Sequence, residues 1–172
     1  VPDIPKDTAV TKVATVAVIG GGTMGSGITM TCADAGLPVR ILEMNDEALS
    51  KAMDRIRNTY EVSVKRGSIT ADQVEERMAR ITPVTSYSDL GDCDMVIEAV
   101  FERMDVKIPV FKQLDQSMNQ GAILATNSSA LDIDEIAAAT NRPESVIGTH
   151  FFSPANVMKL LEIVRGEKTS KE

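Results

Sequence analysis

At 172 residues the chain has the length of one domain, and its 43% apolar and 25% charged residues describe a globular sequence rather than a disordered one. A domain of this size buries roughly 70% of its unfolded surface, enough for a real core. The formal net charge of −7 suits neither a general nucleic-acid binder nor an anionic-membrane binder, so any phosphate must be held locally, by backbone amides or a small basic patch.

Residues 1–12 read as linker. The chain starts at Val1, and Pro2-Asp3-Ile4-Pro5-Lys6-Asp7 has linker composition. Residues 166–172 are polar and carry no capping element, so both boundaries are expected to be cuts in something longer. The domain proper is expected over 13–172.

The first element is a short β-branched run, Val16-Ala17-Val18-Ile19, leading into Gly20-Gly21-Gly22-Thr23-Met24-Gly25 and then a helix-compatible segment over 26–35. Gly20, Gly22 and Gly25 fit GxGxxG at a strand-to-helix turn, where the three glycines serve a tight turn, backbone approach to a pyrophosphate, and close helix packing. Phosphates would lie on the helix N-terminus, where unpaired N–H groups and the helix dipole favour negative charge. The next strand, Val39-Arg40-Ile41-Leu42, ends in Glu43. That carboxylate stands where the fingerprint needs an acceptor for a ribose 2′-hydroxyl and would repel a 2′-phosphate, which selects NAD over NADP.

Asn45-Asp46-Glu47 starts a helix with helical periodicity over 48–65, and Gly67 ends it. Thr70-Ala71-Asp72-Gln73 caps a second, short helix through Met78, giving a helical excursion longer than a minimal crossover. Lys51, Arg55, Lys65 and Arg66 on this excursion form either a solvated face or a surface for an anionic cofactor. Strands follow at 81–84 and 93–100, with a turn-rich piece over 86–91 between them. Glu98 falls at the carboxyl edge, where doubly wound sheets collect ligands. A helix over 104–118 and a strand over 122–125 continue the alternation, which implies a Rossmann-type α/β fold: a doubly wound, mostly parallel sheet with a helical excursion after the second strand. Thr126-Asn127-Ser128-Ser129, directly past the last of these strands, is either a ligand-edge cluster or the N-cap of the helix starting near Asp132.

Val146-Ile147-Gly148-Thr149-His150 reads as a strand with the only histidine at its end, and Met158-Lys159-Leu160-Leu161-Glu162-Ile163-Val164 as a returning strand. Glu162 interrupts an apolar run, and a carboxylate buried there without a partner costs several kcal/mol. His150 is the nearest sensible partner. A carboxylate on one imidazole nitrogen fixes the tautomer and leaves the other free as a general base for a substrate hydroxyl. An ordinary surface histidine beside an edge-strand glutamate reads equally well. Cys32 and Cys93 lack metal-ligand spacing and read as small core residues in a reducing compartment. No apolar run reaches the ~18 residues of a membrane span and no signal-peptide pattern opens the chain, so a soluble, intracellular-type protein is expected.

The glycine turn, the run Ile97-Glu98-Ala99-Val100-Phe101-Glu102, the segment Thr126-Asn127-Ser128-Ser129-Ala130-Leu131, and Arg142-Pro143-Glu144 leading to Gly148-Thr149-His150-Phe151-Phe152-Ser153-Pro154 and Met158-Lys159-Leu160-Leu161-Glu162 occur in order. Together they resemble the NAD-binding domain of the 3-hydroxyacyl-CoA dehydrogenases, over nearly the whole chain past residue 12. The resemblance implies His150 as catalytic base, Glu162 as its partner and Ser129 as a contact to the substrate near the reacting oxygen. It implies cofactor contacts from Gly20, Gly22, Thr23, Met24 and Gly25, from Glu43 on the adenosine ribose, and from Ala99, Val100, Glu102, Lys107, Asn127 and Ser153. Ser153 stands where many members have asparagine, which weakens the expected contact there. The implied reaction oxidises 3-hydroxyacyl-CoA to 3-oxoacyl-CoA with NAD in fatty-acid β-oxidation. Another β-hydroxyacid dehydrogenase or a non-catalytic NAD-binding relative are the alternatives. The His-Phe-Phe-Ser-Pro form looks more like fused enoyl-CoA hydratase/dehydrogenase proteins, which implies a hydratase domain upstream and a helical C-terminal domain downstream as partners. It also implies a cytoplasmic setting in a bacterium or the peroxisomal matrix in a eukaryote.

Overall fold

The β-branched runs become strands and the three-to-four-spaced segments become helices in a computed structural model that describes residues 4–171. Val1, Pro2 and Asp3 of the expected linker, and Glu172 at the end of the expected 13–172 domain, lie outside the described residues. In chain order the elements are β1 (Val16–Ile19), α1 (Thr23–Asp34), β2 (Val39–Leu42), α2 (Asp46–Lys65), α3 (Ala71–Met78), β3 (Ile81–Val84), β4 (Met95–Glu98), α4 (Met104–Ser117), β5 (Ile123–Thr126), α5 (Ile133–Ala138), β6 (Val146–Phe151) and β7 (Leu161–Arg165). The turn-rich piece before β4 holds a short 3-10 turn, Tyr87–Leu90. The start signals act as read: Asn45 accepts from Ala48 N–H at the head of α2, and Thr70 and Gln73 form a reciprocal capping box on α3.

The strands form one 7-stranded sheet in the order β3-β2-β1-β4-β5-β6-β7. All pairs are parallel except β6 with β7. Parallel strands need crossovers that cover both faces, which is why β1 is buried along its whole length. One core gathers Val18, Ile28, Ile41, Ile56 and Tyr60 against α1 and α2. The other gathers Phe111, Leu114, Leu124 and Ile136 under α4 and α5. Strand order reverses between β1 and β4, so the loops leaving their carboxyl ends diverge and open a crevice at that point. Among the described residues, no helix is long and apolar enough to cross a membrane. Both cysteines are free and buried, and burial pushes the Cys32 thiol up to about 11, which keeps it protonated and inert.

Arg142, 4% exposed, closes the end of α4. Its guanidinium donates to the carbonyls of Asp115 at 2.7 Å, Met118 at 3.1 Å and Asn119, and to the Asp115 carboxylate at 3.0 Å. The Asp115 carbonyl is one that the helix end leaves without an intrahelical donor, and Met118 and Asn119 follow directly after α4. Arg142→Leu is expected to destabilise by about 2 kcal/mol, lowering the thermal midpoint by about 4–8 °C in a calorimetric scan. The loss stays moderate because Asp115 keeps the Asn141 backbone and side-chain donors at 2.9 and 2.8 Å.

The last strand departs from the reading of its sequence. β7 starts at Leu161 rather than at residue 158, and it is an edge strand with Leu161, Ile163 and Val164 all exposed. An apolar run marks a buried strand only when something covers both faces. Here β6 pairs with one edge, and no described element covers the run.

Candidate functional site

The crevice begins at the glycine turn. Gly20 sits at φ +94°, a left-handed conformation open to glycine, and an added Cβ would lie 3.0 Å from the Ala99 carbonyl oxygen. Gly25 packs so closely on the turn that a Cβ there would lie 1.7 Å from the Gly20 carbonyl oxygen. Gly22 is the N-cap of α1 and makes no side-chain cap bond, while nothing stands within 4 Å of where its Cβ would be. The start of α1 therefore presents first-turn N–H groups to an open space, with Gly22 and Thr23 exposed at its rim.

Glu43 follows β2 and leans onto the same turn. Its Oε1 accepts from Gly21 N–H at 2.6 Å and its Oε2 from Met44 N–H at 3.1 Å. Each oxygen retains acceptor capacity for a hydroxyl, and the side chain remains partly exposed. The cationic residues of the helical excursion separate. Lys51 pairs with Glu47 at 2.6 Å on the exposed side, whereas Arg55 reaches back to the Gly21 carbonyl oxygen at 2.6 Å.

On the other side of the crevice a buried ion cluster supports the β4 and β5 loops. Glu98, fully buried, accepts from Val100 N–H at 2.7 Å and from the Thr126 hydroxyl at 2.7 Å. Lys107, 1% exposed, donates to both Glu98 oxygens at 2.7 and 2.9 Å and lies 3.3 Å from Glu102. Glu102 in turn accepts from the Ser128 hydroxyl at 2.5 Å, Ser129 N–H at 2.8 Å and Ala130 N–H at 3.3 Å. Burial works against the Glu102 charge, but these hydrogen bonds and the Lys107 ammonium outweigh it and hold the carboxyl below its usual range.

The N-cap of α5 does not fall within residues 126–129. The cap of α5 is Asp132, whose side chain accepts from Asp134 N–H at 2.9 Å. Ser128 and Ser129 instead anchor the loop to Glu102 while Thr126 bonds to Glu98, and Ser128 also accepts from Leu131 N–H at 2.9 Å. Asn127 Oδ1 accepts from Phe151 N–H at 2.9 Å, tying that loop to the end of β6 beside His150.

His150 and Glu162 face one another across the β6–β7 register. His150 Nδ1 lies 2.9 Å from Glu162 Oε2, and the imidazole also stands beside the Phe152 ring, 4.6 Å between centroids. The burial argument for this pair does not hold: the Glu162 side chain is 54% exposed, because β7 is an uncovered edge. What brings the two together is antiparallel pairing, which sets cross-strand partners side by side.

Of the residues singled out from sequence, the glycine turn, Thr23, Met24, Glu43, Ala99 and Val100 gather at the β1–β4 crevice, with Ala99 N–H bonded to the Ile19 carbonyl at 2.9 Å. Asn127 and Ser129 lie in the β5–α5 connection and Glu102 in the β4–α4 connection beside it, and His150 with Glu162 stands beyond them. Ser153 is exposed in the connection between β6 and β7. Lys107 differs: it lies beneath Glu102 rather than on the crevice surface. Sequence reasoning missed the parts played by Arg55, Thr126 and Ser128, and placed Glu98 at the edge without its partners. Glu98 had one available signal, a carboxylate in an apolar strand nine residues before a lysine at helical spacing.

The family model described as "3-hydroxyacyl-CoA dehydrogenase, NAD binding domain" matches residues 15–172. The chain is 44% identical over 161 residues to a peroxisomal fatty acid beta-oxidation multifunctional protein of Oryza sativa, and 44% identical over 161 residues to 3-hydroxyadipyl-CoA dehydrogenase of Escherichia coli. Each match takes in 94% of this chain but 22% and 34%, respectively, of those relatives. The crystal structure of an (S)-3-hydroxybutyryl-CoA dehydrogenase from Ralstonia eutropha superposes with a TM-score of 0.90 at 38% identity, covering 92% of this chain and 56% of that one.

Proposed function

The chain belongs to the NAD-binding domain family of the 3-hydroxyacyl-CoA dehydrogenases, and from that premise we propose that it is the cofactor-binding part of an enzyme that oxidises the 3-hydroxyl of 3-hydroxyacyl-CoA to a ketone. The observation that carries the reading is the shared sheet edge. The α1 N-terminus and Glu43 follow the carboxyl ends of β1 and β2, His150 lies at the carboxyl end of β6 in the same sheet, and antiparallel β7 sets Glu162 beside it. The residues present fit NAD: Gly22 leaves the helix start open, and Glu43 offers acceptors where a 2′-phosphate would meet a negative charge.

When bound, NAD supplies the acceptor for the hydride that leaves the carbinol carbon. His150 takes the hydroxyl proton at Nε2 as the carbonyl forms, because Nδ1 is held by Glu162. Glu162 favours the imidazolium that results. Ser129, whose N–H is fixed by Glu102 and whose hydroxyl lies 3.5 Å from the same carboxylate oxygen, is proposed to turn that hydroxyl to the reacting oxygen.

Turnover is proposed to need a further, helical domain that closes the acyl-CoA cleft. The exposed Leu160, Leu161, Ile163 and Val164 support this, as does the share of its relatives that the chain spans. An upstream hydratase domain and a cytoplasmic or peroxisomal setting are proposed on the same relatives.

Titration of the chain with NADH, followed by nicotinamide fluorescence, is expected to saturate, with NADPH weaker by about tenfold or more. Absence of saturable NADH binding would remove the reading.

A further inference from the structure

One contact at the glycine turn is made by a residue that belongs neither to the turn nor to the ribose carboxylate. Arg55, on α2, donates from Nη1 to the Gly21 carbonyl oxygen at 2.6 Å, and the Ser26 hydroxyl donates to the same oxygen at 2.9 Å. From the other side Glu43 accepts the Gly21 N–H at 2.6 Å. The central residue of the turn is therefore held at both of its backbone polar groups.

The consequence follows from peptide geometry. A trans peptide is planar, and its C=O and N–H point in opposite directions. Holding the Gly21 carbonyl toward Arg55 and Ser26 turns the N–H of Gly22, its partner in that peptide, the opposite way. Gly22 faces open space, with nothing within 4 Å of its Cβ position. The N–H so aimed joins the first-turn donors of α1 on the side where a diphosphate can approach. Arg55 also masks the partial negative charge of the Gly21 carbonyl.

We infer that Arg55 is a positioning residue for the diphosphate of the dinucleotide: it orients the Gly21–Gly22 peptide so that a backbone donor, and no carbonyl, meets the phosphates. The inference rests on the reading that this chain binds NAD. It also links α2 to the cofactor cradle, so the helical excursion after β2 acts on cofactor binding as well as on packing.

The test compares Arg55→Met and Arg55→Lys with the unsubstituted chain. Dissociation constants are measured for NADH and ADP-ribose, which carry the diphosphate, and for adenosine, which does not, by fluorescence and by competition. Arg55→Met is expected to weaken NADH and ADP-ribose about tenfold while adenosine stays within about twofold, and Arg55→Lys, which keeps a cationic donor, recovers a substantial part of the loss. A merely structural role would weaken all three ligands together. NADH binding by Arg55→Met within about twofold of the parent, or an equal loss for adenosine, overturns the inference and leaves the NAD reading standing. Failure of the unsubstituted chain to bind NADH removes both.

Discussion

Gly25→Ala is expected to lower the thermal midpoint by about 6–12 °C, from a destabilisation of about 3 kcal/mol, and to reduce NADH affinity by about 100-fold or more. The added methyl would stand 1.7 Å from the Gly20 carbonyl oxygen and 2.9 Å from the Gly20 carbonyl carbon. Neither atom can give way locally. Gly20 N–H is bonded to the Leu42 carbonyl at 2.9 Å, and its φ of +94° already occupies the conformation the turn requires. Relief must come from moving α1 off the β1 end, which takes the first-turn donors away from the phosphates. Scanning calorimetry and NADH titration read the two losses separately. A variant that keeps both its midpoint and its affinity would show that α1 can shift without cost, contrary to the packing described here.

His150→Ala, measured in the full-length protein, is expected to lower kcat for 3-hydroxyacyl-CoA oxidation by about 10³-fold with the NADH dissociation constant unchanged. The imidazole makes no contact with the glycine turn or Glu43, so removing it subtracts the proton acceptor and leaves the cradle intact. Glu162→Gln is expected to cost less, about tenfold. Its side chain is 54% exposed, so water screens the pair, and the amide can still accept from Nδ1–H. Hydride transfer that survives His150→Ala would disprove the assignment of the base. A Glu162→Gln loss as large as that of His150→Ala would show that the pair acts as one unit.

The resemblance and the local patterns make much of the fold legible in the sequence. The turn from Gly20 to Gly25 is bounded by a strand and a helix, Asn45 and Thr70 announce the helices they cap, and regular alternation implies a parallel sheet. Each of these is a short-range property, carried by residues within a few positions of one another. The returning strand read over 158–164 is present as β7, but its burial stays open in the sequence for the opposite reason: Leu161, Ile163 and Val164 look like core in one dimension, and only their place at the sheet edge shows them exposed. The His150–Glu162 contact was anticipated from a burial argument that the structure does not support, and it arises instead from strand register.

The sequence by itself determined the alternating elements, the glycine turn and the carboxylate after β2, because backbone conformation, capping and side-chain period are local. Only the tertiary structure decided that Arg55 turns to Gly21, that Lys107 lies beneath Glu102 with Glu98 behind it, and that residues 128–130 anchor to Glu102 while Asp132 caps α5. These contacts join residues far apart in the chain, and their partners are set by where the helices and strands pack, which no short window of sequence contains.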